Sequence, residues 1–111
     1  MTDLLNKVNS IVPTYPGEVP EDARLPYAFY ASTDRPILTK DGVAGYEGDM
    51  TLSIVSPVKK TSRGIADRVI TAINGKSFGR TTAFLTEVTD DEDLEQGLYM
   101  TTVIFNTLSQ K

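Results

Sequence analysis

The chain has 111 residues, 40% apolar and 23% charged, with a formal net charge of −4 at pH 7, so one domain spanning residues 1–111 with a single core is expected. It contains no cysteine and no histidine, which removes disulfides, thiol nucleophiles, thiolate metal sites and the commonest general base; no enzyme activity, metal or cofactor is expected. The acidic balance argues against a duplex-binding surface, which needs clustered Lys and Arg, and with no long apolar run or leader-like start the reading is a soluble protein made in the cytoplasm.

Thr2 to Val12 places Leu4, Leu5, Val8, Ile11 and Val12 at helical spacing, with Thr2 as cap and Pro13 as stop. Tyr15 to Pro26 mixes Pro16, Gly17, Pro20 and Pro26 with acidic residues. That composition predicts a surface connection with Tyr15 tucked in and room for one short strand near it. Tyr27 to Ser32 reads as a strand, partly buried on both sides. Thr33 to Tyr46 holds Pro36, Asp41-Gly42 and Gly45, and so predicts either a long loop or a hairpin whose tip reaches beyond the sheet. From Glu47 to Val55, Gly48, Met50, Leu52 and Ile54 alternate with Glu47, Asp49, Thr51 and Ser53, a strand with one wet face.

Ser62 to Ile73 has the clearest pattern in the chain. Ile65, Ala66, Val69, Ile70 and Ile73 form one stripe of a 3.6-residue helix, with Arg63, Asp67 and Thr71 opposite. Thr61 or Ser62 is the expected cap, and Asn74-Gly75 the left-handed stop. Gly75 to Gly79 turns the chain into a strand from Arg80 to Val88, in which Phe84, Thr86 and Val88 alternate with Ala83, Leu85 and Glu87. Asp90, Asp91, Glu92, Asp93 and Glu95 then form a like-charge run ending at Gln96-Gly97, the expected solvated hairpin loop. Leu98 to Leu108 is the last strand, with Leu98, Met100, Ile104 and Leu108 on one face and Tyr99, Val103 and Phe105 on the other. The fold class is therefore α+β, in the order helix, strand, strand, helix, strand, strand. Two helices cover one face of a mixed, mainly antiparallel sheet of four or five strands.

None of the candidate chemical motifs is persuasive. The acidic run lacks the alternating spacing with which a loop wraps calcium. Gly42-Val43-Ala44-Gly45 beside Lys40 lacks the Gly-Lys-Ser/Thr ending of a phosphate loop and leads into a strand. Paired carboxylates have no apolar pocket in which to raise one pKa. What remains is a docking reading. The basic corner Lys59, Lys60 and Arg63, the acidic run Asp90, Asp91, Glu92 and Asp93, and the apolar residues Tyr99, Val103 and Phe105 make up the candidate subunit interface. Basic corner and acidic run would meet head to tail between copies, a heterologous contact that closes into rings.

Tyr15-Pro16-Gly17 running into Ala23-Arg24-Leu25-Pro26-Tyr27-Ala28-Phe29-Tyr30, the helix Ile65-Ala66-Asp67-Arg68-Val69, and Glu95-Gln96-Gly97-Leu98-Tyr99-Met100 leading into Val103-Ile104-Phe105 resemble, in order, the tail-completion proteins of long-tailed bacteriophages, also described as tail-terminator or head-tail joining proteins. The resemblance implies a structural protein of the virion tail and neck, assembled in the host cytoplasm, that caps the tail tube and meets the head connector as a hexameric ring. Its partners would be further copies of itself, the tail tube protein and the connector proteins, with DNA passing through the channel without specific binding and no membrane involved. The alternatives are a non-enzymatic interaction module that dimerises through its sheet, and another head-completion or minor tail subunit.

Overall fold

The computed structural model describes residues 2–110. The element order is α1 (Thr2–Ile11), β1 (Thr14–Pro16), β2 (Tyr27–Thr39), β3 (Gly42–Ser56), α2 (Lys59–Ile73), β4 (Ser77–Phe78), β5 (Thr81–Asp93) and β6 (Leu98–Gln110). The strands form one sheet of six in the order β1-β2-β3-β6-β5-β4. Among the described residues β1–β2 is the one parallel pair of strands, accompanied by an isolated parallel bridge between Asn74 and Ala83. The class is the expected α+β, but the sheet has six strands instead of four or five. The fifth is the short strand allowed for near Tyr15, and the sixth is β4, which forms inside the segment expected to be a plain turn, so the expected order is corrected to helix, three strands, helix, three strands.

Both helices lie on one face. Leu4, Val8 and Val12 from the α1 segment and Ile65, Ala66, Val69 and Ile73 from α2 meet Ala28, Met50, Leu52, Ile54, Ala83, Val103 and Phe105 from the sheet in one core. Burying each large side chain there is worth about 1.5–3 kcal/mol. α1 also touches β1 and β4, the strands at the two edges, so the sheet curls around its helical layer. At the edge, the Tyr15 and Tyr27 rings meet edge to face, 6.4 Å between centroids, a favoured aromatic geometry.

α2 starts earlier than its pattern suggests. Its N-cap is Val58, with no side-chain capping bond. Ser62 lies inside the helix, buried, and its hydroxyl donates to the Lys59 carbonyl at 3.0 Å. The far end is as expected: Asn74 is the C-cap and Gly75 takes φ 71°. The Asn74 carboxamide oxygen also accepts from the Leu85 N–H at 2.9 Å, tying the helix end to β5.

Of the two readings of Thr33 to Tyr46, the hairpin is the one observed. β2 continues to Thr39 and pairs with β3 down to Gly42. β1 reaches only Tyr30 along the outer edge of β2, so Pro36 sits where that edge is free. Two glycines of β3 are sterically required. A Cβ at Gly48 would overlap the Thr33 carbonyl, and one at Gly45 would lie 2.5 Å from the Ser109 carbonyl oxygen.

The largest departure is in β5, which runs to Asp93. The expected solvated loop at Asp90 to Asp93 is instead four ladder residues, opposite Thr101, Met100, Tyr99 and Leu98. The ladder with β6 holds the strand together although its side chains are charged. A bulge between Leu85 and Glu87 leaves Thr86 unpaired. Val88 therefore shares the core face with Ala83 and Leu85, and Glu87 goes to the open face with Phe84, correcting the simple alternation.

Candidate assembly interface

Because Val103 and Phe105 point into the core, alternate β6 residues Tyr99 and Thr101 share the helix-covered side while Leu98, Met100 and Ile104 share the open side. The acidic run follows the same rule through its partners. Asp90 and Glu92 face the helices, and Asp91 and Asp93 face outward. One like-charge run thus serves two surfaces.

On the helix side, Arg63 Nη1 donates to Asp90 Oδ2 at 2.9 Å, and Arg63 Nε lies 3.6 Å from Asp67 Oδ1. The buried Thr101 hydroxyl donates to Asp90 Oδ1 at 2.8 Å, with Ser62 Oγ at 3.2 Å as the weaker alternative. Lys59 lines a shallow groove with Asp90, Glu92 and Tyr99. The expected meeting of basic corner and acidic run therefore takes place within one chain at Arg63 and Asp90, leaving those two engaged. Lys59 and Lys60 are exposed, as are Asp91, Glu92 and Asp93, while Tyr99 is half-buried.

Val103 and Phe105 drop out of the candidate interface. Both are fully buried beneath the helical layer, so they hold the monomer together and have no surface to offer a second copy. The leftover apolar area is on the other face. Tyr27, Val55, Leu98 and Met100 floor a groove of about 270 Å³ with Asp91 and Asp93 in its wall. Farther along, Phe84 and Leu108 are 43% and 46% exposed and line a second groove with Arg35 and Glu47.

Charge is divided between the layers. Register places Glu47, Asp49, Glu87, Asp91 and Asp93 on the open face against Arg35. α2 carries Lys59, Lys60, Arg63 and Arg68 against Asp67. Periodicity missed this division because the bulge and the length of β5 decide it. A further surface, between α1 and α2, was also missed: an open cleft of about 480 Å³ whose wall includes Lys7, Ile11, Arg68, Ala72 and Lys76. Its signal was available in the cations on the polar sides of two amphipathic helices. Among the described residues no group of three or more His, Cys, Asp or Glu side chains could hold a metal ion, and no helix is long and apolar enough to cross a membrane. The surfaces offer charge and apolar area suited to docking.

No family model matches the sequence, and no curated protein matches it. The fold does have a counterpart. A chain of the virion of a native gene transfer agent particle superposes with a TM-score of 0.77 at 14% sequence identity, over 99% of this chain and 93% of that one. At that identity the likeness is one of fold: this curled sheet with two helices on one face is an architecture found in a virion chain of nearly the same extent.

Proposed function

We propose that the protein is a structural subunit of a phage-type virion that closes the tail tube and meets the head connector as a hexameric ring. The observation that carries this reading is the fold likeness to a virion chain over nearly the full length of both proteins. It agrees with the tail-completion resemblance of the sequence and with a composition free of cysteine and histidine. On this reading the chain is assembled in the host cytoplasm and resides in the tail or neck of the particle. The open sheet face, with Glu47, Asp49, Glu87 and Asp91 against Arg35, suits a lumen through which DNA slides without sticking. Exposed charges off that face, such as Lys60 and Glu92, remain for contacts between copies.

Native mass spectrometry across a concentration series, with negative-stain imaging of the largest species, tests the proposal. A closed ring that grows in with concentration is expected. A dimer that persists at every concentration would sink it in favour of the second reading, an interaction module that pairs through its sheet. The exposed neighbours Phe84 and Leu108 on the open face favour that alternative, since an isologous contact needs one self-complementary patch.

A further inference from the structure

We propose that successive copies join by seating the acidic β5–β6 turn of one in the α1–α2 cleft of the next, a specification of the ring contact that rests on the reading above. The turn carries an apolar anchor between charges: Leu94 is 74% exposed, flanked by Asp93 and Glu95. It is braced from within, since the Gln96 N–H donates to Asp93 Oδ1 at 3.3 Å and Gly97 takes φ 65°. The cleft has the complementary chemistry. Ile11 and Ala72 give it an apolar floor, and Lys7, Arg68 and Lys76 a cationic rim. Its one carboxylate, Asp67, already has Arg63 as its ionic partner.

A copy does not fill its own cleft. α2 begins beside Asp90, where Arg63 is bound, and ends beside Ala83, which is bridged to Asn74. From Ala83 to Asp93, allowing for the bulge, the strand runs roughly 30 Å at about 3.3 Å per residue, so the turn lies at the far end of β5 from the end of α2 that carries Ala72 and Lys76. The contact is therefore between copies and uses two different patches, as a ring requires. Sheet-to-sheet joining is the poorer alternative. The free edge of β5 is lined with carboxylates and that of β2 carries Pro36, devices that discourage edge pairing.

The test is a charge exchange read by native mass spectrometry. One variant carries Asp93→Lys with Glu95→Lys, and the other Arg68→Glu with Lys76→Glu; all four positions are exposed. Each variant alone is expected to stay monomeric at concentrations where the unaltered chain assembles. Mixed one to one, they should form rings in which the two masses alternate, because each turn then meets a cleft of opposite sign. Recovery in the mixture also shows that both variants are folded. Variants that assemble alone as the parent does, or a mixture that does not recover, would overturn this contact while leaving the ring itself standing. An unaltered chain that never assembles would overturn both.

Discussion

Arg63 and Asp90 join the first half of α2 to β5 through a 2.9 Å contact between side chains that are 47% and 37% exposed. Exposure keeps such a pair weak. Arg63→Ala should lower stability by less than about 1 kcal/mol, and by less still in high salt. Asp90→Ala should cost up to about 1 kcal/mol more, because it also removes the nearer acceptor of the buried Thr101 hydroxyl and leaves it only Ser62 Oγ at 3.2 Å. Urea unfolding of both variants at low and high salt checks the order; equal losses would mean that the Thr101 bond contributes nothing.

Phe105 belongs to the core and not to an interface. Phe105→Ala should destabilise the monomer by about 3–5 kcal/mol, whereas Leu94→Ala, at an exposed turn, should stay within about 0.5 kcal/mol of the parent. Both are read from denaturant midpoints at a concentration where the chain is monomeric.

The glycines at 48 and 64 should respond with opposite signs. At Gly48 a methyl group meets the Thr33 carbonyl of the neighbouring strand, and Gly48→Ala should cost about 1–3 kcal/mol as the strands are forced apart. Gly64 lies inside α2 with nothing within 4 Å of an added Cβ. Gly64→Ala should stabilise by about 0.5–1 kcal/mol through helix propensity, raising the melting temperature by a few degrees. Calorimetry of the two variants side by side is the measurement.

Thr107 lies between Gly48 and Ala83 in the sheet, and its buried hydroxyl has no hydrogen-bond partner among the described residues. Thr107→Val keeps the shape and removes the unmet group, so it should be neutral or stabilising by up to about 1 kcal/mol. A loss of more than that in urea unfolding would point to a bond made through ordered water.

The parts of this fold that were legible in the sequence are those whose burial follows a simple period. The stripe from Ile65 to Ile73 has one covered face and one wet face, and α2 contains it although the helix already begins at Lys59; the alternation from Glu47 to Val55 puts Met50, Leu52 and Ile54 in the core, but Ser53 and Val55 on its other face are buried too, so that face is wet only toward Glu47. Ser32 to Thr39 left no such trace because neither face is covered for most of its length; pairing with β3, not burial, makes it a strand. Asp90 to Asp93 were misleading for a related reason. Local composition favours a loop, and the ladder with β6 outweighs it. The candidate site suffers accordingly: β6 offers Leu98, Met100, Ile104 and Leu108 on one face and Tyr99, Val103 and Phe105 on the other, and the helices cover the face with fewer apolar side chains.

Thr86 is a spare residue. It is the extra member of the bulge, facing no partner across the ladder, and its hydroxyl donates to the Ile104 carbonyl at 2.9 Å. A chain lacking it would pass from Leu85 to Glu87 in regular alternation, and every later side chain of β5 would keep its present side. Loss of Thr89 would not be so mild. Each residue before the gap would change sides, or Asp91 and Asp93 would swing beneath α2 while Asp90 left Arg63 behind. Single-residue deletions in this strand should thus be tolerated at the bulge and damaging farther along, as at Thr89, so that the chain can lose a residue at 86 without any change in which carboxylates meet the helices and which meet the world outside.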